Sequence, residues 1–148
     1  MCIRDRDNIF IEKLKQANVT LDLKNATPEE RSEQAKQMAA ANKEFKGDLQ
    51  DTIEGKQSFI LDGTAASFNT TSKLKNELDE AGYDVFMLYV YTDLERSLSQ
   101  NQDRFEKSDG KDRSLAPAIV MKTWLSVTKN YEPYKLSLIH ISEPTRPY

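Results

Sequence analysis

The sequence predicts an α/β fold with a parallel sheet, on the basis of two apolar runs and the helical segment between them. Residues 59–61 and 85–90 are uninterrupted apolar stretches, and strands without polar alternation are typical of parallel sheets that are covered on both faces. Residues 71–81 carry apolar side chains one helical turn apart, and Gly82 is a natural helix stop. This order predicts a right-handed βαβ unit.

The composition is that of an ordinary soluble domain or part of one. The chain has 148 residues, of which 38% are hydrophobic and 30% charged, with a formal net charge of -3. No stretch approaches the run of about 18 apolar residues that spans a bilayer, and no signal-peptide pattern opens the chain. We therefore expect an intracellular, cytoplasmic protein without membrane contacts and without an overall basic surface for nucleic acid.

The two ends of the chain differ in character from the rest. Residues 1–6 and 136–148 resemble translated sequencing-adapter read-through, so we expect residues 7–135 to form the domain. The ends contain the only cysteine, Cys2, and the only histidine, His140. Catalysis by the remaining residues would therefore depend on carboxylates, lysines, arginines and hydroxyls, and not on a thiol or an imidazole.

The first helix of the expected domain is predicted by an apolar pair. Phe10 and Leu14 lie one helical turn apart, which favours a short amphipathic helix over residues 7–17. Asp7 or Asn8 would open it, because their side chains can accept a hydrogen bond from the first turn.

The strongest helix start in the chain follows. Thr27 provides the N-cap, Pro28 suits the first helical position and Glu30 completes a capping box. The predicted helix runs to about Glu54, and Gly55 is its natural stop.

The last third of the chain contains two further helix signals. Thr92 and Glu95 form a second capping box, which predicts a helix that reaches about Arg104. Residues 105–114 are highly charged and predict an exposed loop, and residues 117–130 predict a closing helix. The side chains that we expect this last helix to bury are Ile119, Val120, Trp124 and Val127.

The predicted elements leave the sheet short of strands. Two parallel strands cannot form a sheet that helices cover on both faces, because sheets of this class need more strands. We therefore expect at least one strand to be missing, and we place it before Asp7.

The first apolar run ends in a carboxylate, Asp62, followed by Gly63. Ligands of open α/β sheets bind at the carboxyl ends of the strands, so Asp62 is a candidate site residue. The alternative is a turn in which Asp62 accepts backbone hydrogen bonds and Gly63 adopts a positive φ. The residues alone leave both interpretations open.

The order and spacing of four motifs resemble the polynucleotide-kinase and zeta-toxin-like group of P-loop kinases. The motifs are residues 59–64, 81–90, 101–104 and 113–120, and the resemblance covers residues 7–135. It implies an incomplete P-loop NTPase-like, three-layer α/β fold with a parallel sheet. The first strand and the Walker A loop would be missing, since the sequence contains no G-x-x-x-x-G-K-[ST] motif.

The resemblance also implies a function. The intact protein would be an ATP-dependent kinase, using ATP and Mg²⁺, that transfers the γ-phosphate to a hydroxyl of a nucleic acid, a nucleotide or a sugar nucleotide. We expect the given fragment to be inactive without its Walker A segment. The acceptor would be a small molecule or a nucleic-acid end, and the oligomeric state stays open.

Four site residues follow from the resemblance. Asp7 would be the general base toward the acceptor hydroxyl, and Asp62 would face the acceptor or the metal region. Arg104 and Arg113 would be arginines of a lid near residues 104–116 that stabilise the transferring phosphoryl group. Ordinary roles stay open beside these, a helix cap for Asp7 and solvated surface charges for the arginines.

Two other classes of protein remain compatible with the sequence. One is a non-catalytic domain that keeps the nucleotide-binding fold for interaction. The other is a small helical interaction protein that is complete as given. The coding sequence upstream of Asp7 would separate the three classes, because only the kinase requires a Walker A segment there.

Overall fold

The structure, a computed structural model, describes residues 2–137. Most of the C-terminal segment singled out in the sequence, including His140, therefore lies outside the described residues. The elements in chain order are β1 (Cys2–Asp5), α1 (Arg6–Gln16), α2 (Pro28–Glu54), β2 (Phe59–Asp62), α3 (Phe68–Glu80), α4 (Leu94–Lys107) and α5 (Pro117–Ser137).

The principal hydrophobic core lies between α1 and α2. The side chains of Phe10 and Leu14 on α1 pack with Ala41 on α2 and with Leu21 in the loop that joins the two helices. The predicted apolar face of α1 is confirmed, and its burial against α2 fixes the helix at the end of β1.

The two strands pair in parallel, with Asp5 opposite Asp62 in the register. The sequence prediction assigned no element to residues 1–6, whereas the structure has β1 there. Strand pairing uses backbone N–H and C=O groups, so an extended stretch can pair with β2 almost regardless of its side chains.

Asp5 also determines where α1 begins. Its side chain accepts a hydrogen bond from the backbone N–H of Asp7 at 2.8 Å and makes it the N-cap residue. The predicted caps, Asp7 and Asn8, are wrong by two or three residues, because an equally good cap stands just before them.

The two predicted capping boxes differ in outcome. The Thr27 box is confirmed with both of its hydrogen bonds, and α2 ends where the sequence predicted. In the second box Asp93, not Thr92, caps α4 by accepting from the backbone N–H of Arg96 at 2.7 Å. The side chain of Thr92 does not cap the helix. Its backbone carbonyl accepts a hydrogen bond from the indole N–H of Trp124, which ties Thr92 to α5.

The predicted strand at residues 85–90 is wrong. This stretch forms no strand, and its side chains alternate between half-buried and exposed, with Phe86, Leu88 and Val90 at 78%, 89% and 79% exposure. A strand requires a hydrogen-bonded neighbour, and none of residues 2–137 pairs with this stretch. The described part of the chain therefore has a two-stranded sheet and not a larger covered one.

The apolar side chains of β2 are not buried on both faces, because residues 85–90 do not form a strand beside it. Ile60 and Leu61 remain partly exposed, although the unbroken apolar run predicted burial on both faces. A third strand beside β2 would be needed to cover them.

Two tyrosine hydroxyls join α5 to residues near the two ends of the predicted βαβ unit. The Tyr89 hydroxyl donates to the Val127 carbonyl at 3.1 Å, and the fully buried Tyr134 donates to the Ala65 carbonyl at 2.6 Å. These contacts carry α5 past the predicted end at residue 130 to Ser137.

One side of α5 is more exposed than the sequence predicted. Ile119 is 51% exposed, so its predicted burial is wrong, while Val120, Trp124 and Val127 are half-buried. Met121 and Leu125 of α5 are exposed as well, at 43% and 48%.

The longest helix, α2, spans 27 residues. Much of it is exposed, and charged residues recur along its length. Within residues 2–137, no helix combines the length and apolar character that crossing a bilayer would require.

Replacing Tyr134 by phenylalanine tests how α5 is held. Tyr134→Phe removes the donor to Ala65 in a buried site, so we expect the free energy of unfolding to fall by about 1–2 kcal/mol. Tyr131→Phe is the matched control, because Tyr131 is partly exposed and its hydroxyl makes no hydrogen bond within residues 2–137. Urea unfolding followed by tryptophan fluorescence measures both, and equal losses would contradict the assignment.

Candidate functional site

Asp7 lies at the junction of β1 and α1. It is the second residue of α1, its N–H is capped by Asp5, and it stands just beyond the carboxyl end of β1. A carboxylate in the first turn of a helix is stabilised by the helix dipole. The structure thus places Asp7 at the edge of the sheet where the sequence predicted a site.

The structure brings Asp7 into contact with Arg113, although 106 positions separate them in the chain. Nη2 of Arg113 donates to Oδ2 of Asp7. The Arg113 side chain is only 13% exposed, so this pair lies partly inside the protein. The interpretation of Arg113 as a solvated surface charge is therefore wrong.

The second oxygen of Asp7 has a different environment. Arg6 approaches Oδ1 of Asp7 with Nη2 at 3.5 Å, too long for a good hydrogen bond. This oxygen is buried and accepts no hydrogen bond from residues 2–137. One lone-pair position of the carboxylate is therefore available to a ligand that displaces the half-exposed Arg6 side chain.

Arg104 joins the same group through Asp112. Nε of Arg104 lies 3.9 Å from Oδ2 of Asp112, and Oδ1 of Asp112 accepts from the backbone N–H of Arg113 at 2.7 Å. We call the five residues Arg6, Asp7, Arg104, Asp112 and Arg113 the arginine–aspartate network.

Three of the four predicted site residues are in the arginine–aspartate network. The sequence reasoning missed Arg6, because residues 1–6 were set aside, and Asp112, although it directly precedes a predicted site arginine. In the network the guanidinium groups of Arg6 and Arg113 face Asp7, and Asp112 links the Arg104 guanidinium to the Arg113 backbone. Such an arrangement can hold an anionic phosphoryl group, since arginine suits phosphate oxygens.

Asp62 stands apart from the network. It ends β2 opposite Asp5, it is exposed, and its carboxylate makes no hydrogen bond or ion pair within residues 2–137. The turn interpretation receives no support from Gly63, because the positive φ in this stretch falls on Ala65. Asp62 therefore shares a sheet edge with Asp7 but not its contacts.

The segment that carries Arg113 is held at its C-terminal side. The Ser114 hydroxyl donates to Oδ1 of Asp22 at 2.6 Å, and its N–H donates to the Leu21 carbonyl at 3.0 Å. The exposed loop predicted over residues 105–114 therefore ends in one largely buried side chain, that of Arg113, and one buried residue, Ser114.

The hydrogen bond from Ser114 affects the acidity of Asp22. It is the main reason that the pKa of Asp22 lies below its ordinary value of 3.8. Hydrogen bonds from Asn25 and from the Lys24 backbone act in the same direction, and partial burial opposes them.

The described residues do not by themselves provide a site for Mg²⁺. No three carboxylate, histidine or cysteine side chains within residues 2–137 group in a way that could hold a metal ion. The Walker A motif, whose backbone cradles phosphates, is also lacking in the sequence. What residues 2–137 do bring together at this edge is a group of guanidinium side chains.

A shallow depression of about 410 Å³ lies elsewhere, along α5. Its lining residues all belong to one helix face, and none of them is a predicted site residue. A solvent-open helix face does not define a ligand site, so the arginine–aspartate network is the better candidate.

Comparison with known families identifies the class of protein. Residues 20–136 match the family model described as zeta toxin, which places the chain among P-loop kinase-like proteins. The chain belongs to the zeta toxin family. Asp62, Arg104 and Arg113 lie within the matched range, and Asp7 lies before it. Comparisons with curated proteins and with solved structures gave no match.

Family membership confirms the resemblance seen in the sequence. It implies a P-loop NTPase-like α/β fold and a kinase-type phosphotransferase, in a family that generally uses nucleotide and Mg²⁺.

The Asp22 contact predicts a pH dependence of stability. Because the pKa of Asp22 is lowered in the folded protein, its stabilisation is complete above the ordinary value and is lost as the pH falls through the lower folded value. Unfolding free energies measured from pH 6 to pH 2.5 should fall less steeply in Asp22→Asn than in the unmodified chain.

Two further variants test whether the Ser114 hydroxyl causes this pH dependence. Ser114→Ala removes the largest cause of the shift and should also flatten the acid loss of stability. Asp84→Asn, at an exposed aspartate, controls for the loss of one negative charge. Identical slopes in all four proteins would contradict the role of the Ser114 hydroxyl.

Proposed function

We propose that this chain is part of an ATP-dependent kinase that transfers the γ-phosphate to a hydroxyl of a nucleic acid, a nucleotide or a sugar nucleotide. Membership of the zeta toxin family supports the reaction class. The single observation that carries the proposal is the contact between Asp7 and Arg113, which joins a carboxylate base and a phosphate-binding cation at the carboxyl end of a strand.

Asp7 would act as the general base. Its buried Oδ1 accepts no hydrogen bond within the described range, so an acceptor hydroxyl could occupy that position. The acceptor proton would pass to Asp7, the acceptor oxygen would bond to the γ-phosphorus, and ADP would leave with the bridging oxygen.

Arg113 and Arg104 would neutralise the charge on the transferring group. A guanidinium that already lies beside the base is preorganised for this role, which is the source of its catalytic value. Asp62 would orient the acceptor from the end of β2, because it lies at the same sheet edge with its carboxylate exposed.

We also propose that residues 7–135 belong to the kinase domain, with a lid near residues 104–116, and that a further strand and a Walker A loop complete it. Two exposed apolar surfaces support this. They are Ile60 and Leu61 on β2 and the outward side chains of residues 85–90. Both begin near the point where the rings of Phe59 and Tyr83 meet at 5.7 Å. A strand between them would cover both surfaces.

A second candidate function is a non-catalytic domain that keeps this fold for interaction. It expects an upstream strand whose loop lacks the Walker A lysine. The two candidates differ in what the upstream coding sequence contains, and in whether the longer chain transfers phosphate.

Kinetics of a longer chain that includes a Walker A segment test the arginines. We expect Arg104→Ala and Arg113→Ala to lower kcat and kcat/KM together by roughly 10²-fold or more, since one preorganised donor contributes about 3 kcal/mol. Asp7→Asn and Asp62→Asn should lose at least as much. Arg96→Ala is the matched control, because Arg96 lies on α4 outside the network.

Three kinetic results would contradict these assignments. Full kcat in Arg104→Ala would remove this residue from the site, and full kcat in Asp62→Asn would return the end of β2 to an ordinary turn. A longer chain with an intact Walker A lysine that transfers no phosphate to any hydroxyl acceptor would favour the interaction domain.

The 148-residue chain itself should bind ATP only weakly. Without the backbone cradle and lysine of a Walker A loop, we expect a Kd for Mg-ATP above about 1 mM, equivalent to less than about 4 kcal/mol of binding free energy. Isothermal titration calorimetry measures this directly. Micromolar binding would show that another part of the chain holds the nucleotide.

A further inference from the structure

The backbone that follows Arg113 is fixed from two directions. On one side Ser114 bonds to the loop between α1 and α2, through its hydroxyl to Asp22 and its N–H to Leu21. Ser114 is buried, and its hydroxyl oxygen also lies within 3.4 Å of the Lys24 N–H. The residue after Arg113 is therefore joined to the same loop that contributes to the main core.

On the other side, Asn101 of α4 holds the next residue, Leu115. Its side-chain amide donates to the Leu115 carbonyl at 2.9 Å and accepts from the Leu115 N–H at 3.1 Å. Asn101 lies one helical turn before Arg104 on α4. The helix that carries Arg104 is therefore joined to the segment that carries Arg113.

The N-terminal side of this segment has a different pattern. Its hydrogen bonds connect neighbours, as in the contacts of Ser108 with Phe105 and Asp112. Within the described residues, the one hydrogen bond or ion pair of residues 108–112 that reaches further along the chain is the 3.9 Å approach of Arg104 to Asp112. The segment is thus held firmly only where it carries Arg113.

We infer that Asn101 and Asp22 are positioning residues that hold Arg113 and Arg104 as one unit against α1. On a freely swinging lid the two arginines would approach the site separately. The contacts of Ser114 and Leu115 instead fix the backbone beside Arg113 before any ligand binds. The catalytic consequence of this arrangement rests on the proposed function, whereas the mechanical one does not.

A fixed backbone beside Arg113 would help its guanidinium bind a phosphoryl group. The Arg113 guanidinium has five N–H donors, and one nitrogen already faces Asp7. A fixed backbone limits how far the guanidinium can move, so a phosphoryl group that reaches its remaining donors meets a charge that needs little reorganisation. Small losses of alignment at such a group are costly, since a shift of about 1 Å can lower the rate about 10²-fold.

A double-mutant cycle in the 148-residue chain tests the mechanical part. The cycle uses Asp7→Asn and Arg113→Gln and measures their coupling by urea unfolding. It is repeated in the Asn101→Ala and Ser114→Ala backgrounds. The matched control is Gln102→Ala, because within residues 2–137 the Gln102 side chain bonds only to Glu106 on the surface of α4.

The coupling energy between Asp7 and Arg113 should be smaller in the two test backgrounds than in the control. We expect the coupling between Asp7 and Arg113 to fall by roughly half or more in Asn101→Ala and Ser114→Ala, a change within reach of such cycles. It should be unchanged in Gln102→Ala. Undiminished coupling in both test backgrounds would overturn the inference.

A spectroscopic measurement covers the case in which a background does not fold. The Arg113 Nε–Hε signal in ¹H–¹⁵N spectra should be protected from exchange in the unmodified chain. In Asn101→Asp, which keeps the acceptor and loses the donor to the Leu115 carbonyl, this protection should decrease. Equal protection in the two proteins would also count against the inference.

Kinetics in the longer chain test the catalytic consequence separately. Asn101→Ala and Asp22→Asn should lower kcat by roughly 10- to 10²-fold with little change in KM, while Gln102→Ala keeps full kcat. An inactive unmodified enzyme would count against the proposed function alone, because the coupling cycle reports on Arg113 without it. Full kcat in both variants would overturn the positioning role.

Discussion

Phe10 and Leu14 pack against α2, and this contact fixes the direction in which α1 leaves β1. Asp7 lies on the first turn of that helix. Asp22 directly follows Leu21, which belongs to the same core cluster. Burial of these three apolar side chains therefore fixes the positions of the Asp7 and Asp22 backbones. Losing one such side chain typically costs 2–5 kcal/mol, more than a single hydrogen bond contributes, so the core determines the geometry that the polar groups then use.

The arginine–aspartate network depends on that placement. A largely buried guanidinium is stable only beside a carboxylate, because leaving either charge unpaired in a partly dry site is costly. Arg113 forms an ion pair with Asp7. Asp112 accepts a hydrogen bond from the backbone of Arg113 and lies beside the side chain of Arg104. With three guanidinium groups and two carboxylates, the network retains one positive charge, which an incoming anion can neutralise.

Local signals in the sequence predicted most of the helices. The Thr27 box specified where α2 begins, because its interactions join residues only three positions apart, and Gly55 marked where the helix ends. The apolar pair Phe10 and Leu14 specified the buried face of α1. Where two caps compete, as Thr92 does with Asp93, a tertiary contact decides, and here the Trp124 indole takes the Thr92 carbonyl.

Contacts between distant parts of the chain could not be predicted in the same way. Asp7 and Arg113 were each proposed through the family resemblance, but no local pattern states that they touch. The strand predicted at residues 85–90 failed for a related reason. Strand propensity describes a side chain's fit to a pleated surface, and the hydrogen bonds that make a strand come from a neighbour that the described chain does not supply.

The outward side chains Phe86, Leu88 and Val90 also influence how the isolated chain behaves in solution. They form an apolar row on backbone that has no strand partner within residues 2–137, and such rows are templates for pairing with other chains. The stretch is rich in β-propensity and low in charge, with only Asp84 beside it as a gatekeeper. Concentrated solutions of the 148-residue chain would therefore favour self-association through this row over the dispersed monomer.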